Sequence, residues 1–305
     1  MNNLTRRLPE GSYVDAAFAG LQVTASRDAL LGLHARVESC APAAWEDPGL
    51  IQTYSPRAAV YVLPKRDLGV FTVGRLPLDP DARARIDRLA SRVRARLDGG
   101  EVRGAQLPDV RPACASGRIA VRWTTSALYV RELPRPDVDE DAARLELCRR
   151  HVHAFGPTTP AAFAWWAGVP GRDARRTRSD LAGELTQVEL DGRRAWILAA
   201  DEPAVRRAEP MVGVRLLVAP DLRLLGQDRT GLFVGPGLAQ HSPAQDTYHP
   251  NGLLVDGRVG PARGRVDVRA TEPLPTATRD AVVAEALSLP VPGVEMSVRV
   301  NGESA

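Results

Sequence analysis

Four arginines crowd one short stretch of this chain: Arg172, Arg175, Arg176 and Arg178 in GRDARRTRSDLAGEL (171–185). A guanidinium is a planar, permanently charged fork of donors that fits phosphate oxygens in pairs. The chemistry such a cluster suits is contact with a phosphodiester backbone, which fixes orientation and carries no base information. The flanking segments say how the cluster is held. DEDAARLELCRRHVHAF (139–155) places Leu145, Cys148, Val152 and Phe155 on one helical face, and Gly156-Pro157 stops it. Thr159 is placed to cap a second helix, with Pro160 at its first position and Gly168 just past its end. The arginine-rich segment is the third helix. TQVEL and RAWILA then flank Asp191-Gly192, a strong hairpin signal. Helix, helix, basic helix and hairpin, in that order, predict a winged helix. Such a unit usually meets nucleic acid.

Other chemistries find little support. His151 and His153 stand two apart on a helix and so diverge, while His241 and His249 fall in a loop, so no metal site is expected. Cys40, Cys114 and Cys148 are odd in number and form no CxxC pair, which suits reduced thiols in a cytoplasmic protein. The sequence holds no Walker loop, no GxGxxG and no GxSxG, and so gives no support for an ATPase, a dinucleotide enzyme or an α/β-hydrolase. It also offers no signal-peptide core, no long apolar run and no dimerisation element, so a monomer without a membrane span is expected. The net charge of +3 is too small to coat the surface in positive potential. A DNA-binding face must therefore be built by segregating charge. Lys65 is the only lysine, as a GC-rich genome would also produce.

The 305 residues suggest several units. Residues 1–78 read as a first winged helix: a short helix in YVDAAFAGL, a second from about Arg27 to Ser39, a buried strand AAVYVL (58–63) and a possible partner strand from Leu68 to Val73. Residues 79–134 read as a second, degenerate one. Its amphipathic helix runs from Asp81 to Leu97, with Arg85, Arg88, Arg92 and Arg96 as a basic stripe among aspartates, and a hairpin spans Arg118 to Val130. A solvated face is the plainer account of that stripe. The clear unit is 139–200, and 210–305 reads as a β-rich region with one late helix. The expected class is α+β: three tandem winged helices with a C-terminal β-rich region.

RRHVHAFGPTTPAAFAWWAG (149–168) with LTQVELDGRRAWIL (185–198) resembles the signature region of a bacterial family of tandem winged-helix proteins, and VRLLVAPDLRLLGQDR (214–229) and NGLLVDGRV (251–259) resemble its later blocks. That family includes DNA glycosylases that excise N-alkylated purines, bulky adducts and interstrand crosslinks among them, some in producers of alkylating natural products. The resemblance implies a concave channel for double-stranded DNA and no cofactor. Its catalytic element is Gln-apolar-Gln, or Gln-apolar-Asp, before a Leu-Gly-Leu helix. GLQVTASRDALLGLHARV (20–37) aligns without gaps, placing Gln22 on the first position and Thr24 on the second. In SPRAAVYVL (55–63) Arg57 stands on the family's arginine and Tyr61 where its histidine would be. Arg57 is thereby expected at the DNA.

Thr24 departs from the pattern, and the departure bears on chemistry. Cleaving an N-glycosidic bond passes through an oxocarbenium-like sugar, so the enzyme must hold a water and stabilise positive charge. A threonine hydroxyl orients water but is shorter than an amide and carries no negative charge. Losing one such contact typically costs about 2.7–4 kcal/mol. Asp28 is the nearest carboxylate that could substitute. Thr24 is equally placed to cap the following helix, and Gln22 to bond backbone. Tyr61 is either a packed aromatic or part of a base pocket. Trp165 and Trp166 read as packing residues, although an exposed indole can stack on a flipped base. The expected function is a glycosylase for alkylated purines, in repair or self-resistance; the alternative is a non-catalytic winged-helix sensor or regulator.

Overall fold

The structure is a computed structural model that describes residues 3–23, 28–124, 127–218, 221, 251–255, 258–263, 266–268, 274–289, 297–301 and 303–304. It mixes helix and sheet. In chain order the helices are α1 (Tyr13–Ala16), α2 (Asp28–His34), α3 (Leu68–Thr72), α4 (Pro80–Leu97), α5 (Val110–Ala113), α6 (Glu140–Phe155), α7 (Pro160–Ala167), α8 (Gly171–Asp180), α9 (Glu202–Arg206) and α10 (Thr276–Leu287). The strands are β1 (Leu21–Val23), β2 (Leu50–Tyr54), β3 (Val60–Pro64), β4 (Glu101–Arg103), β5 (Ile119–Trp123), β6 (Leu128–Glu132), β7 (Leu185–Leu190), β8 (Arg193–Leu198), β9 (Val214–Leu217), β10 (Asn251–Val255), β11 (Arg258–Arg263), β12 (Val266–Val268), β13 (Val298–Val300) and β14 (Glu303–Ser304). The chain divides into two compact units.

The first unit holds Ala17–Arg27 and Glu46–Arg207. Its sheet has the order β1-β3-β2-β5-β6-β4. Every residue of β3 is buried, as its unbroken apolar run requires. Two expectations change here. The helix expected in YVDAAFAGL ends at Ala16, and Gly20 (φ +75°) turns the chain so that Leu21–Val23 joins the sheet. A side chain on Gly20 would collide with Tyr61 and Leu63. Residues 68–72, expected as a strand beside β3, are helical. Both edges of β3 are already taken, by β1 and β2, so the segment has no strand to pair with. Thr72 instead donates back to the Leu68 carbonyl at 2.5 Å, and the Phe71 carbonyl accepts from Ser55 at 2.7 Å.

The local signals around α6–α8 produce the elements they predict. Asp139 caps α6 at the Ala142 amide (2.7 Å), and Thr159 caps α7 at the Ala162 amide (3.2 Å). Gly168 closes α7 in the left-handed region. β7 and β8 pair antiparallel across Asp191 (φ 49°) and Gly192 (φ 73°). Trp166 is buried among Phe71, His151, Phe155 and Phe163. Arg150 of α6 locks this layer to the α3 end: it donates to both Asp67 oxygens (2.7 and 2.9 Å) and to the Phe18 carbonyl (3.0 Å). α4 is capped by Asp79 and buries Ala90, Val93 and Leu97. Arg85, Arg88 and Arg96 of its basic stripe are exposed, and Arg92 pairs with Asp109.

The second unit joins Asn2–Ala16 and Asp28–Trp45 to Ala208–Ala305. Its sheet runs β14-β13-β12-β11-β10-β9, with β12 and β13 parallel. Val214, Val268, Val298 and Val300 pack against Val282 and Ala286 of α10. Leu4 and Ala35 share a core with Met211 and Leu217. Polar ties cross the same sequence gap. Arg36 and Asp221 form a buried bidentate pair (2.8 and 2.9 Å), and Arg7 meets Glu285 at 2.6 Å. His34 contacts the Ser288 hydroxyl at 3.0 Å. That hydroxyl donates to the Glu285 carbonyl, so its oxygen accepts from His34 Nε2–H. Nδ1 is then the bare nitrogen, buried without a partner among the described residues.

Candidate functional site

Gln22 is the half-buried middle residue of β1 and stands opposite Tyr61 of β3 in the antiparallel register. Directly opposed residues point to the same face. The Tyr61 ring is fully buried, and its hydroxyl reaches Gln22 Oε1 at 3.3 Å. Arg57 arrives from the turn between β2 and β3 and donates to the same oxygen. A guanidinium has no acceptor, so it is the oxygen end of the carboxamide that faces Arg57.

The turn that delivers Arg57 is unusual. Arg57 (φ 56°) and Ala58 (φ 54°) both lie in the left-handed region, which costs an L-residue roughly 1–2 kcal/mol each. Ser55 and Ala59 close the turn by a backbone bond of 2.9 Å. The Arg57 guanidinium lies over the Trp165 ring of α7, 4.2 Å from its centroid. Gly168 passes so close that a Cβ there would sit 2.8 Å from the Arg57 amide nitrogen. Arg75 is partly buried and donates to the Ala167 carbonyl at the end of α7 (3.2 Å). Burial brings its pKa down to about 10, which still leaves it cationic at neutral pH.

Of the residues expected from the resemblance, Gln22, Arg57 and Tyr61 are therefore brought together. Thr24 lies outside the described residues. Asp28 is the first residue of α2 and belongs to the second unit. Trp166 is core, whereas Trp165 forms the platform under Arg57. The sequence reading passed over Arg75, although a lone arginine inside the apolar run VFTVGRLPL was a signal that could have been followed.

The four arginines of α8 take different places. Arg172, Arg175 and Arg176 are exposed. Arg172 lies near Asp79 and Asp173 (3.7 and 3.4 Å), and Arg176 pairs with Asp180 at 3.0 Å. Arg178 is half-buried and stacks on Trp196 of β8 at 4.2 Å, so it also fixes the hairpin to the helix. Arg193 and Arg194 are exposed near the hairpin tip. Among the described residues no three histidine, cysteine or acidic side chains gather as a metal site, and no helix is long and apolar enough to cross a membrane.

The first unit thus carries an exposed arginine cluster on α8 and, on β1, a carboxamide held by two donors. The family model described as DNA glycosylase AlkZ-like matches residues 115–289, more than half of the chain, and the chain belongs to that family. A relative, the interstrand DNA cross-link repair glycosylase of Streptomyces sahachiroi, is 30% identical over 98 residues, which are 31% of this chain and 25% of that protein. The solved structure of Streptomyces sahachiroi DNA glycosylase AlkZ shares the fold, with a TM-score of 0.76 over 98% of this chain and 95% of that one, at 20% identity. Trp165, Gly168 and α8 fall within the matched family segment, and Gln22, Arg57 and Arg75 precede it.

Proposed function

We propose that this chain is a monofunctional DNA glycosylase that hydrolyses the N-glycosidic bond of N-alkylated purines in duplex DNA. The observation that carries the reading is the Gln22 carboxamide, half-buried on a sheet strand and held at its oxygen by Arg57 and Tyr61. A fixed amide dipole costs no reorganisation when charge develops at the sugar. In this reading Gln22 helps to hold the attacking water at the anomeric carbon, with Thr24 or Asp28 assisting. A cationic N7-alkylpurine is already a good leaving group and needs little acid catalysis. Residues 139–200 act as a winged helix, the third of three in tandem, and the exposed arginines of α8 contact phosphates. Interstrand crosslinks, the substrate named for the Streptomyces relative, are the lesions to try first, with bulky adducts beside them. The protein would work as a cytoplasmic monomer without a cofactor, in repair or in self-resistance.

The test is direct. Purified protein is incubated with duplex DNA carrying N7-alkylguanine or a bulky N7 adduct, then treated with alkali. Strand breaks at the lesion are expected, and Gln22→Ala should abolish them while DNA affinity stays close to wild type. Activity retained in Gln22→Ala would sink the assignment. Thr24 favours a second reading, since it removes one polar arm of the family's motif. A non-catalytic lesion sensor or regulator would bind duplex DNA with a steep salt dependence and break no strands.

A further inference from the structure

The resemblance places Arg57 among residues that meet the DNA, but its surroundings give it a different task. Its guanidinium donates to Gln22 Oε1 and lies over the Trp165 face, and its backbone is held in the left-handed region against Gly168. The corner of α7 that supplies Trp165 and Gly168 is itself pinned. Arg75, partly buried, donates to the last helical carbonyl of α7, where a cation meets the negative end of a helix dipole. We propose that Arg57 is a positioning residue for Gln22, set in place by Trp165 and the Gly168 corner, so that α7 determines the orientation of a side chain on β1. The catalytic consequence of this arrangement rests on the glycosylase reading above.

Donors and conformational freedom together set the orientation of the Gln22 amide. A glutamine amide can flip by half a turn, exchanging oxygen for NH2 with almost no change in shape. Arg57 offers only donors, so the flipped state would set NH2 against a cation with no acceptor, and one state is selected. Arg57 alone could not hold that choice, because a free arginine keeps roughly 2 kcal/mol of rotamer entropy. Stacking on an indole removes that freedom during folding, before any DNA arrives. A phosphate ligand needs only charge and reach. The arrangement around Arg57 supplies flatness, a fixed backbone and a second donor in Tyr61.

Two measurements decide it. In protein labelled with 15N-glutamine, the side-chain amide pair of Gln22 is assigned by its absence in Gln22→Leu. Trp165→Ala and Arg57→Lys should both move that pair and leave the pair of exposed Gln106 in place. In parallel, single-turnover excision of N7-alkylguanine is followed at saturating duplex DNA. Trp165→Ala should lower the rate constant by ~10²-fold, the usual scale for a misplaced group, with Kd within about twofold. Arg57→Lys keeps the charge and should show the same split. The double variant should be no slower than Arg57→Lys alone, because both changes break one relay. An unmoved Gln22 amide in Trp165→Ala, or a loss confined to Kd, overturns the proposal. Wild-type protein that excises nothing overturns the glycosylase reading, while the amide pair still decides the positioning. If Trp165→Ala does not fold, Trp165→Phe keeps the packing, weakens the stack and should shift the same pair by less.

Discussion

Gly168→Ala separates two costs that usually arrive together. Gly168 sits at φ +67°, and an added Cβ would lie 2.8 Å from the Arg57 amide nitrogen and 2.9 Å from its Cα. The left-handed conformation costs an alanine roughly 1–2 kcal/mol. The steric approach adds an overpacking cost of roughly 1–3 kcal/mol, because both opposing atoms are backbone and cannot rotate away. The total expected loss is about 2–5 kcal/mol. Gly99 supplies the control: it has φ +73° with nothing within 4 Å of its notional Cβ, so Gly99→Ala carries only the first cost. Urea unfolding of both variants, read as midpoint times slope, should leave Gly168→Ala less stable than Gly99→Ala by roughly 1–3 kcal/mol. Equal losses would mean that α7 does not press on Arg57, and the relay from Trp165 to Gln22 would lose its backbone half.

Further expectations follow from the buried polar groups and the exposed arginines. Asp67→Ala leaves the partly buried Arg150 guanidinium with only Glu146 and the Phe18 carbonyl, and should cost less in chemical denaturation than the about 3–5 kcal/mol of a fully unpaired buried charge; Arg150→Met, which removes the charge with the bond, should cost less still. Burial pushes His34 below its ordinary pKa, with Arg7 and Arg215 adding to the shift and Glu285 and the Ser288 contact opposing it. The folded state then binds fewer protons than the unfolded one, so stability present above pH ~6.5 should fall on acidification, by at most about 1.4 kcal/mol per pH unit, and His34→Gln should flatten that slope. Burial raises Cys40 and Cys114 to about 11 and Cys148 to about 12, so a thiol reagent at pH 8 should label none of them in the native protein and all three in denaturant. Arg175 is exposed and has no ion-pair partner among the described residues, and Arg175→Ala should reduce the slope of log K against log salt for duplex DNA by ~0.9.

What could be read from the sequence divides by range. The Gly156-Pro157 stop of α6, the Thr159 cap of α7, the glycine after it and the Asp191-Gly192 turn are decided by residues within four positions of one another, and they appear in the structure as read. The status of Leu68–Thr72 depended on which strands flank β3, a fact set by residues 21–23 and 50–54. Its β-prone residues therefore pointed the wrong way. The joining of residues 2–16 and 28–45 to the chain beyond 208 rests on pairs such as Arg36–Asp221, separated by 185 positions. No periodicity or composition carries that information, because each partner alone is an ordinary surface-type residue.

The two departures from the family's motif have different chemical weight. Tyr61 stands where the family has histidine, yet the register places it opposite Gln22 with its hydroxyl on the amide oxygen. A phenol and an imidazole both present a hydrogen-bond donor on an aromatic ring, so the property facing Gln22 is kept. Thr24 keeps a small polar group and gives up the reach of an amide or carboxylate. In the glycosylase reading this removes an acceptor from the place where positive charge would develop, and the bonds that Arg57 and Tyr61 donate to Gln22 do not supply one. Slow chemistry in this chain would therefore trace to Thr24. Thr24→Gln should speed single-turnover excision by ~10²–10³ if the missing arm is a charge-stabilising contact. A Thr24→Gln variant no faster than wild type would move the deficit elsewhere, to a site whose amide is already well placed but whose water is held by other means.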